Sequence, residues 1–237
     1  RSGSSEIVPG NIIGSSVANL LLITGITIAL SAGSIRLTSE YIRIDLHFLV
    51  GGGFAFLALA YDGRINLVEA LFGLAIFIIY SVYLIKGGTA DVDVPDRPSS
   101  FPWSRVGILV AASAGIYFGA DYTVQAQKSL VALTALSLGT TLPEIAVNIS
   151  AVRRGNPELA IGNVLGSSVF NILVIPAVAA SVGSIVVPGV LIGFALPALV
   201  ATVVLFYLLA QDRAMSKWEG YLFIALYGLF LAKTAGF

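Results

Sequence analysis

Long apolar runs separated by short polar connections dominate the chain. Eight of them reach the roughly 17–25 residues that a bilayer-spanning helix needs. They run near 8–31, 44–61, 67–85, 104–125, 129–152, 158–181, 188–208 and 217–235. Barrel strands would be shorter and would alternate apolar with polar residues. The longest break, from Lys86 to Pro102, is polar, acidic and proline-bearing, and it reads as a linker. The pattern predicts an all-α polytopic membrane protein. Residues 1–88 form one part, 89–103 a linker and 104–237 a second part.

One polar stripe occurs twice within these apolar runs. Residues 6–22 read EIVPGNIIGSSVANLLL and residues 158–174 read ELAIGNVLGSSVFNILV, with nine of seventeen positions identical at an offset of 152. The polar letters match best: Gly10/Gly162, Asn11/Asn163, Gly14/Gly166, Ser15/Ser167, Ser16/Ser168 and Asn19/Asn171. Asn11, Ser15 and Asn19 are spaced by four, as are Asn163, Ser167 and Asn171, so each set lines one helix face. The glycines beside them suit close helix approach, as in a small-residue packing seam. Ser15, Asn19, Ser167 and Asn171 are the candidates for direct ion contact. Asn11 and Asn163 read as structural, and Ser16 and Ser168 point off the face into packing.

The basic residues orient the spans. Connections after the first, third, fifth and seventh spans hold Arg36, Arg43, Lys86, Arg97, Arg105, Arg153, Arg154, Arg213 and Lys217; the other side holds Arg1, Arg64, Lys128 and Lys233. Nine against four places the first group, with the linker, in the cytoplasm. The two copies of the stripe are the first and sixth spans, so they run in opposite directions. That predicts an inverted-topology repeat, the architecture of many secondary transporters, with a site near the midplane.

Composition narrows the function classes. The chain is 57% hydrophobic and 11% charged, against about 25% charged in soluble domains. Its formal net charge is zero, so nothing points to nucleic acid. The absence of cysteine excludes disulfides and thiol chemistry, and the single histidine, His47, excludes a multi-histidine metal site. An intramembrane enzyme lacks its aspartate pair, Ser/His set or zinc motif. No phosphate loop supplies nucleotide hydrolysis.

The fifth span contains Glu144, and a carboxylate at the centre of a membrane helix costs about 2.5–3.5 kcal/mol on insertion scales. Its neighbours are Ser137, Gly139, Thr140, Thr141 and Pro143. Pro143 has no N–H for the Gly139 carbonyl, and its ring pushes that turn apart. Carbonyls near Ser137 and Gly139 are then available, with the hydroxyls of Thr140 and Thr141 alongside. Such an all-oxygen cage suits hard cations. Asn148 continues the face as a residue for interhelical bonding. Asp121 reads as a helix-end acid, and Asp91, Asp93 and Asp96 as solvated linker acids. Asp62 and Glu69 read as edge charges beside Arg64, His47 as interfacial, and Trp103 and Trp218 as belt anchors.

The segments Gly139-Thr140-Thr141-Leu142-Pro143-Glu144 and Gly162-Asn163-Val164-Leu165-Gly166-Ser167 resemble the alpha-repeat of the cation/calcium exchanger superfamily, most closely the prokaryotic sodium/calcium exchangers. The resemblance implies ten spans in two inverted five-helix halves, of which eight are visible here, and exchange of Na+ for Ca2+ by alternating access. It implies a site formed by Glu144, Thr140, Thr141, Ser137, Ser167, Asn171, Ser15 and Asn19, with Ca2+ and Na+ as transported ligands and no cofactor. Some relatives use H+ or K+, and some carry aspartate where Asn171 stands. The partner glutamate of the first copy would fall before Arg1, so the first two helices are expected to be missing or supplied as a separate piece. The chain alone is then expected to exchange little. The location implied is a prokaryotic inner membrane. An H+/Ca2+ antiporter and a passive cation channel are the alternatives.

Overall fold

The structure is a computed structural model that describes residues 7–37, 40–87 and 137–234. The expected span at 104–125, the front of the span at 129–152, the linker, Asp91, Asp93, Asp96, Trp103 and Asp121 lie outside the described residues. Helices occupy the other expected spans. α1 (Ile7–Val17) passes through a π-helical turn (Ala18–Ile23) into α2 (Thr24–Leu30). β1 (Ile35–Arg36), α3 (Glu40–Ala60), β2 (Arg64–Ile65) and α4 (Leu67–Gly87) follow. The second part has α5 (Ser137–Arg153), α6 (Pro157–Leu173), α7 (Ile175–Ala180) and β3 (Ile185–Val186). A second π-helical turn (Leu191–Ala195) then leads into α8 (Leu196–Ala210), β4 (Ala214–Met215) and α9 (Lys217–Thr234).

Among the described residues, four helices are long and apolar enough to cross a membrane: Ile7–Leu30, Leu67–Lys86, Pro157–Ala180 and Leu191–Ala210. The apolar stretch of α3, Ile44–Ala60, is shorter. α9 carries Lys217, Glu219 and Lys233 at its ends.

Both copies of the polar stripe sit on interrupted helices, and the interruptions differ. In the first, the Thr24 N–H reaches the Asn19 carbonyl five residues back, and Thr24 Oγ1 donates to the same oxygen at 3.2 Å. In the second, Pro176 cannot donate to the Ile172 carbonyl. The helix breaks at Val174 (φ −97°, ψ −45°) and restarts as α7 with proline in its first turn.

Two short ribbons fix the direction of these helices. β1 pairs antiparallel with β4, and β2 with β3. α1 packs against β3, and its continuation α2 leads into β1. α6 packs against β1, and its continuation α7 leads into β3. The two interrupted helices therefore run in opposite directions between the ribbons.

The connections after α3 and α8 share a backbone form. Gly63 has φ +86°, and Arg213, 150 residues later, has φ +53°. Asp62 Oδ1 accepts from the Arg64 N–H at 3.1 Å. Asn66 and Glu69 cap each other reciprocally, each side chain accepting the other's backbone N–H at 2.8 and 3.0 Å. The Ser216 N–H donates to Glu219 in the same way. Asp62 and Glu69 thus act as turn and cap residues through bonds to backbone N–H groups.

Lipid tails are as apolar as leucine, so close packing rather than water exclusion holds such helices together. α2 and α9 cross at Gly25 and Gly220: a Cβ on Gly25 would lie 2.8 Å from the Gly220 carbonyl oxygen, and one on Gly220 would lie 3.0 Å from that of Gly25. Deeper in the core, Phe206 and Phe223 are fully buried and stack with centroids 5.7 Å apart. α9 is thereby locked to both α2 and α8.

Candidate cation site

α1, the first π-helical turn, α5 and α6 pack on one another. α5 turns tightly into α6, with the Asn156 N–H bonded to the Ala151 carbonyl at 2.9 Å. α5 and α1 therefore run the same way, toward β1, and α6 runs against both. Thr140 Oγ1 approaches Asn11 Oδ1 at 3.4 Å, and Asn171 Nδ2 donates to Ser15 Oγ at 3.2 Å.

These contacts set the levels of the site. Four residues advance a helix by about 6 Å. One turn past the Thr140–Asn11 contact, Glu144 on α5 and Ser15 on α1 lie at a common depth, and Asn171 of α6 meets Ser15 there. One turn further come Asn148 of α5, Asn19 in the π-helical turn and Ser167 of α6. Of the expected contact residues, Glu144, Ser15, Asn171, Asn19 and Ser167 fall at these two levels, while Ser137, Thr140 and Thr141 lie earlier on α5.

Unpaired polar atoms mark the same place. Asn19 is fully buried, and neither its Oδ1 nor its Nδ2 has a hydrogen-bond partner among the described residues. Glu144 Oε2 is likewise buried and unpartnered, as are the hydroxyls of Ser16 and Ser168. Buried polar atoms without partners are rare and costly, so the cluster has spare capacity for an electropositive ligand.

Other members are occupied by local bonds. Ser15 Oγ donates to the Asn11 carbonyl at 2.6 Å, Thr140 Oγ1 to the Ser137 carbonyl at 2.9 Å, and Thr141 Oγ1 to the Leu138 carbonyl at 3.0 Å. Ser137 and Thr141 are buried, whereas Thr140, Ser167 and Asn171 are partly exposed. Asn163 Nδ2 donates to Asn148 Oδ1 at 3.0 Å, the interhelical bond expected of Asn148. Asn11 and Asn163 both make interhelical side-chain contacts.

Two expectations change. α5 continues as helix through Pro143, so the expected opened turn shrinks to the loss of one donor to the Gly139 carbonyl. Among the described residues a Cβ on Gly139, Gly162 or Gly166 would meet nothing within 4 Å. Among the described residues, the close backbone approach that Gly162 and Gly166 would allow is not made. Sequence reasoning also missed the π-helical turn that carries Asn19, for which ANLLLI holds no proline or glycine signal. It missed Asp45 too, although an acid within the span at 44–61 was visible.

The fold matches solved structures of the sodium-calcium exchanger NCX_Mj. With one from a crystal soaked in 2.5 mM Na+ and 10 mM Sr2+, the TM-score is 0.75 at 25% identity, over 96% of this chain and 77% of that one. CaxA of Alkalimonas amylolytica, an antiporter by name, is 30% identical over 210 residues, and the chain spans 63% of its length. The sodium/calcium exchanger MaX1 of Methanosarcina acetivorans is 29% identical over 134 residues, covering 52% of this chain and 38% of MaX1. A duplicated, oppositely directed polar stripe, a half-buried glutamate and this fold agree with the match of residues 1–86 and 104–234 to the family described as sodium/calcium exchanger protein: the chain belongs to that family of membrane antiporters.

Proposed function

We propose that the protein exchanges Na+ for Ca2+ across the membrane by alternating access at the oxygen-lined cluster. Its ligands are Glu144, Thr140, Thr141, Ser137, Ser167, Asn171, Ser15 and Asn19. The observation that carries this reading is the Asn171–Ser15 contact, which joins the two copies of the stripe at the level of Glu144.

The opposite directions of the interrupted helices, and ribbons that each take one strand from either side of the linker, support an inverted-topology repeat. Residues 1–88 and 104–237 are then two related parts around one central site, and the linker is cytoplasmic. The donor set is all oxygen and amide, which suits Ca2+ and Na+. The driving energy comes from an ion gradient.

H+/Ca2+ antiport is the second reading. It is favoured by Asn171, which is neutral and leaves Glu144 as the carboxylate in this set, so a single proton would neutralise it. The test is calcium uptake by vesicles carrying the full-length protein. An imposed sodium gradient should drive uptake, and a pH gradient without sodium should not. Uptake driven by the pH gradient alone would transfer the assignment to proton coupling.

A further inference from the structure

Asp45 of α3 stands at the start of the apolar stretch Ile44–Ala60, is 6% exposed, and accepts a hydrogen bond at 2.7 Å from the hydroxyl of Tyr80 of α4, itself 4% exposed. An ionisable group buried at membrane depth is costly and marks function more often than support. The internal repeat provides a comparison within the molecule. At the offset of 150 that relates the two ribbon turns, Asp45 corresponds to Ala195 and Tyr80 to Phe230. Both are buried, and Phe194 stacks on Phe230 at 5.9 Å. The same fold is therefore held at that position by apolar side chains alone. The acid–phenol pair is a feature of one part only and is not required by the architecture.

We propose that Asp45 and Tyr80 form a proton-binding site, separate from the oxygen-lined cluster, whose occupancy tunes how α4 seats against α6. Asp45 stands five residues into α3, about 7.5 Å along the axis from its start, so protons exchange with water at the β1–β4 end. When Asp45 is ionised, the Tyr80 hydroxyl makes a charge-assisted bond, the stronger kind. When Asp45 takes up a proton from water, that bond weakens and the grip of α3 on α4 loosens. The ring of Tyr80 lies 5.9 Å from Phe77, and Phe77 meets Phe170 edge-on at 5.7 Å. Phe170 directly precedes Asn171.

Few titratable groups among the described side chains face this carboxyl. Tyr80 is the titratable side chain that meets it from α4, and Lys86 lies about 9 Å farther along that helix. Glu158 sits in the first turn of α6. Tyr207 of α8 faces His47, two residues along α3 and exposed, at 5.8 Å. Among the described residues no ion pair reaches Asp45, and its hydrogen-bond partner is Tyr80.

The test is infrared difference spectroscopy of the reconstituted full-length protein between acidic and alkaline pH, for the parent, D45N, Y80F and E144Q. The parent should show a carboxyl C=O band that D45N lacks and E144Q keeps, shifted in frequency in Y80F. A spectrum of D45N identical to the parent's overturns the site. If D45N fails to fold, an unmoved band in Y80F does the same. Calcium flux by D45N should lose at least two-thirds of the parent's pH-dependent change; a lost band with an unaltered flux profile overturns the tuning role. The spectroscopic arm does not depend on the antiport reading, so its failure and the failure of that reading are distinguishable.

Discussion

Asn171 of α6 donates its side-chain amide to Ser15 Oγ of α1 at 3.2 Å, so the two copies of one polar stripe touch across 156 residues of sequence. Ser15 spends its own proton on the Asn11 carbonyl and accepts from Asn171, a contact that uses the side-chain nitrogen of Asn171 and not its side-chain oxygen. Replacing Asn171 with aspartate adds a second carboxylate at the level of Glu144. A charge pair at 4 Å is worth about 4 kcal/mol at an effective dielectric of 20, before desolvation. N171D should therefore bind Ca2+ at least about tenfold more tightly, a net 1.4 kcal/mol, by titration calorimetry. Unchanged affinity would remove Asn171 from the ion's surroundings.

Asn19 sets stability against binding. Both of its amide atoms are buried and unpaired, and each unsatisfied group costs about 1–3 kcal/mol. Asn19→Leu should raise the thermal midpoint of the ion-free protein and abolish the further rise produced by Ca2+. A variant that keeps the Ca2+-induced rise would show that Asn19 does not contact the ion.

The glycines separate into two kinds. A Cβ on Gly25 would lie 2.7 Å from Ile224 Cγ1 and 2.8 Å from the Gly220 carbonyl oxygen. Overpacking of this kind typically costs about 1–3 kcal/mol, so Gly25→Ala should lower the unfolding midpoint in detergent. Gly166→Ala, which meets nothing within 4 Å among the described residues, should stay within about 0.5 kcal/mol of the parent.

Arg213 holds φ at +53°, where its counterpart Gly63 holds +86°. Side chains other than glycine are strained there. Relief of that strain exceeds the entropy glycine adds to the unfolded chain, so Arg213→Gly should stabilise by about 0.5–1 kcal/mol. Gly63→Ala should destabilise. Thermal unfolding of the two variants checks both signs.

Apolar length and the stripe duplication were enough to locate the described helices and the polar faces that meet between them, because a polar residue inside a membrane helix stands out against its neighbours. Asn11, Ser15, Asn163 and Asn171 were legible for that reason. The π-helical turn at Asn19 was not, because an i to i+5 bond depends on tertiary packing and ANLLLI holds no helix breaker. The effect of Pro143 was overread: flanking turns keep α5 helical, and one carbonyl loses its donor. Among the described residues the tightest helix crossing falls at Gly25 and Gly220, outside the repeated stripe, and Gly162 and Gly166 meet no neighbour. Asp45 was passed over because its partner Tyr80 lies 35 residues away, on another helix.

The most direct measurement is anomalous diffraction from crystals of the full-length protein soaked in Sr2+, a heavier stand-in for Ca2+. The predicted result is one peak ringed by Glu144, Ser15 and Asn171, which added Na+ weakens in proportion to its concentration. A peak elsewhere, or one at this place that Na+ leaves untouched, would contradict exchange of the two ions at a shared oxygen-lined site.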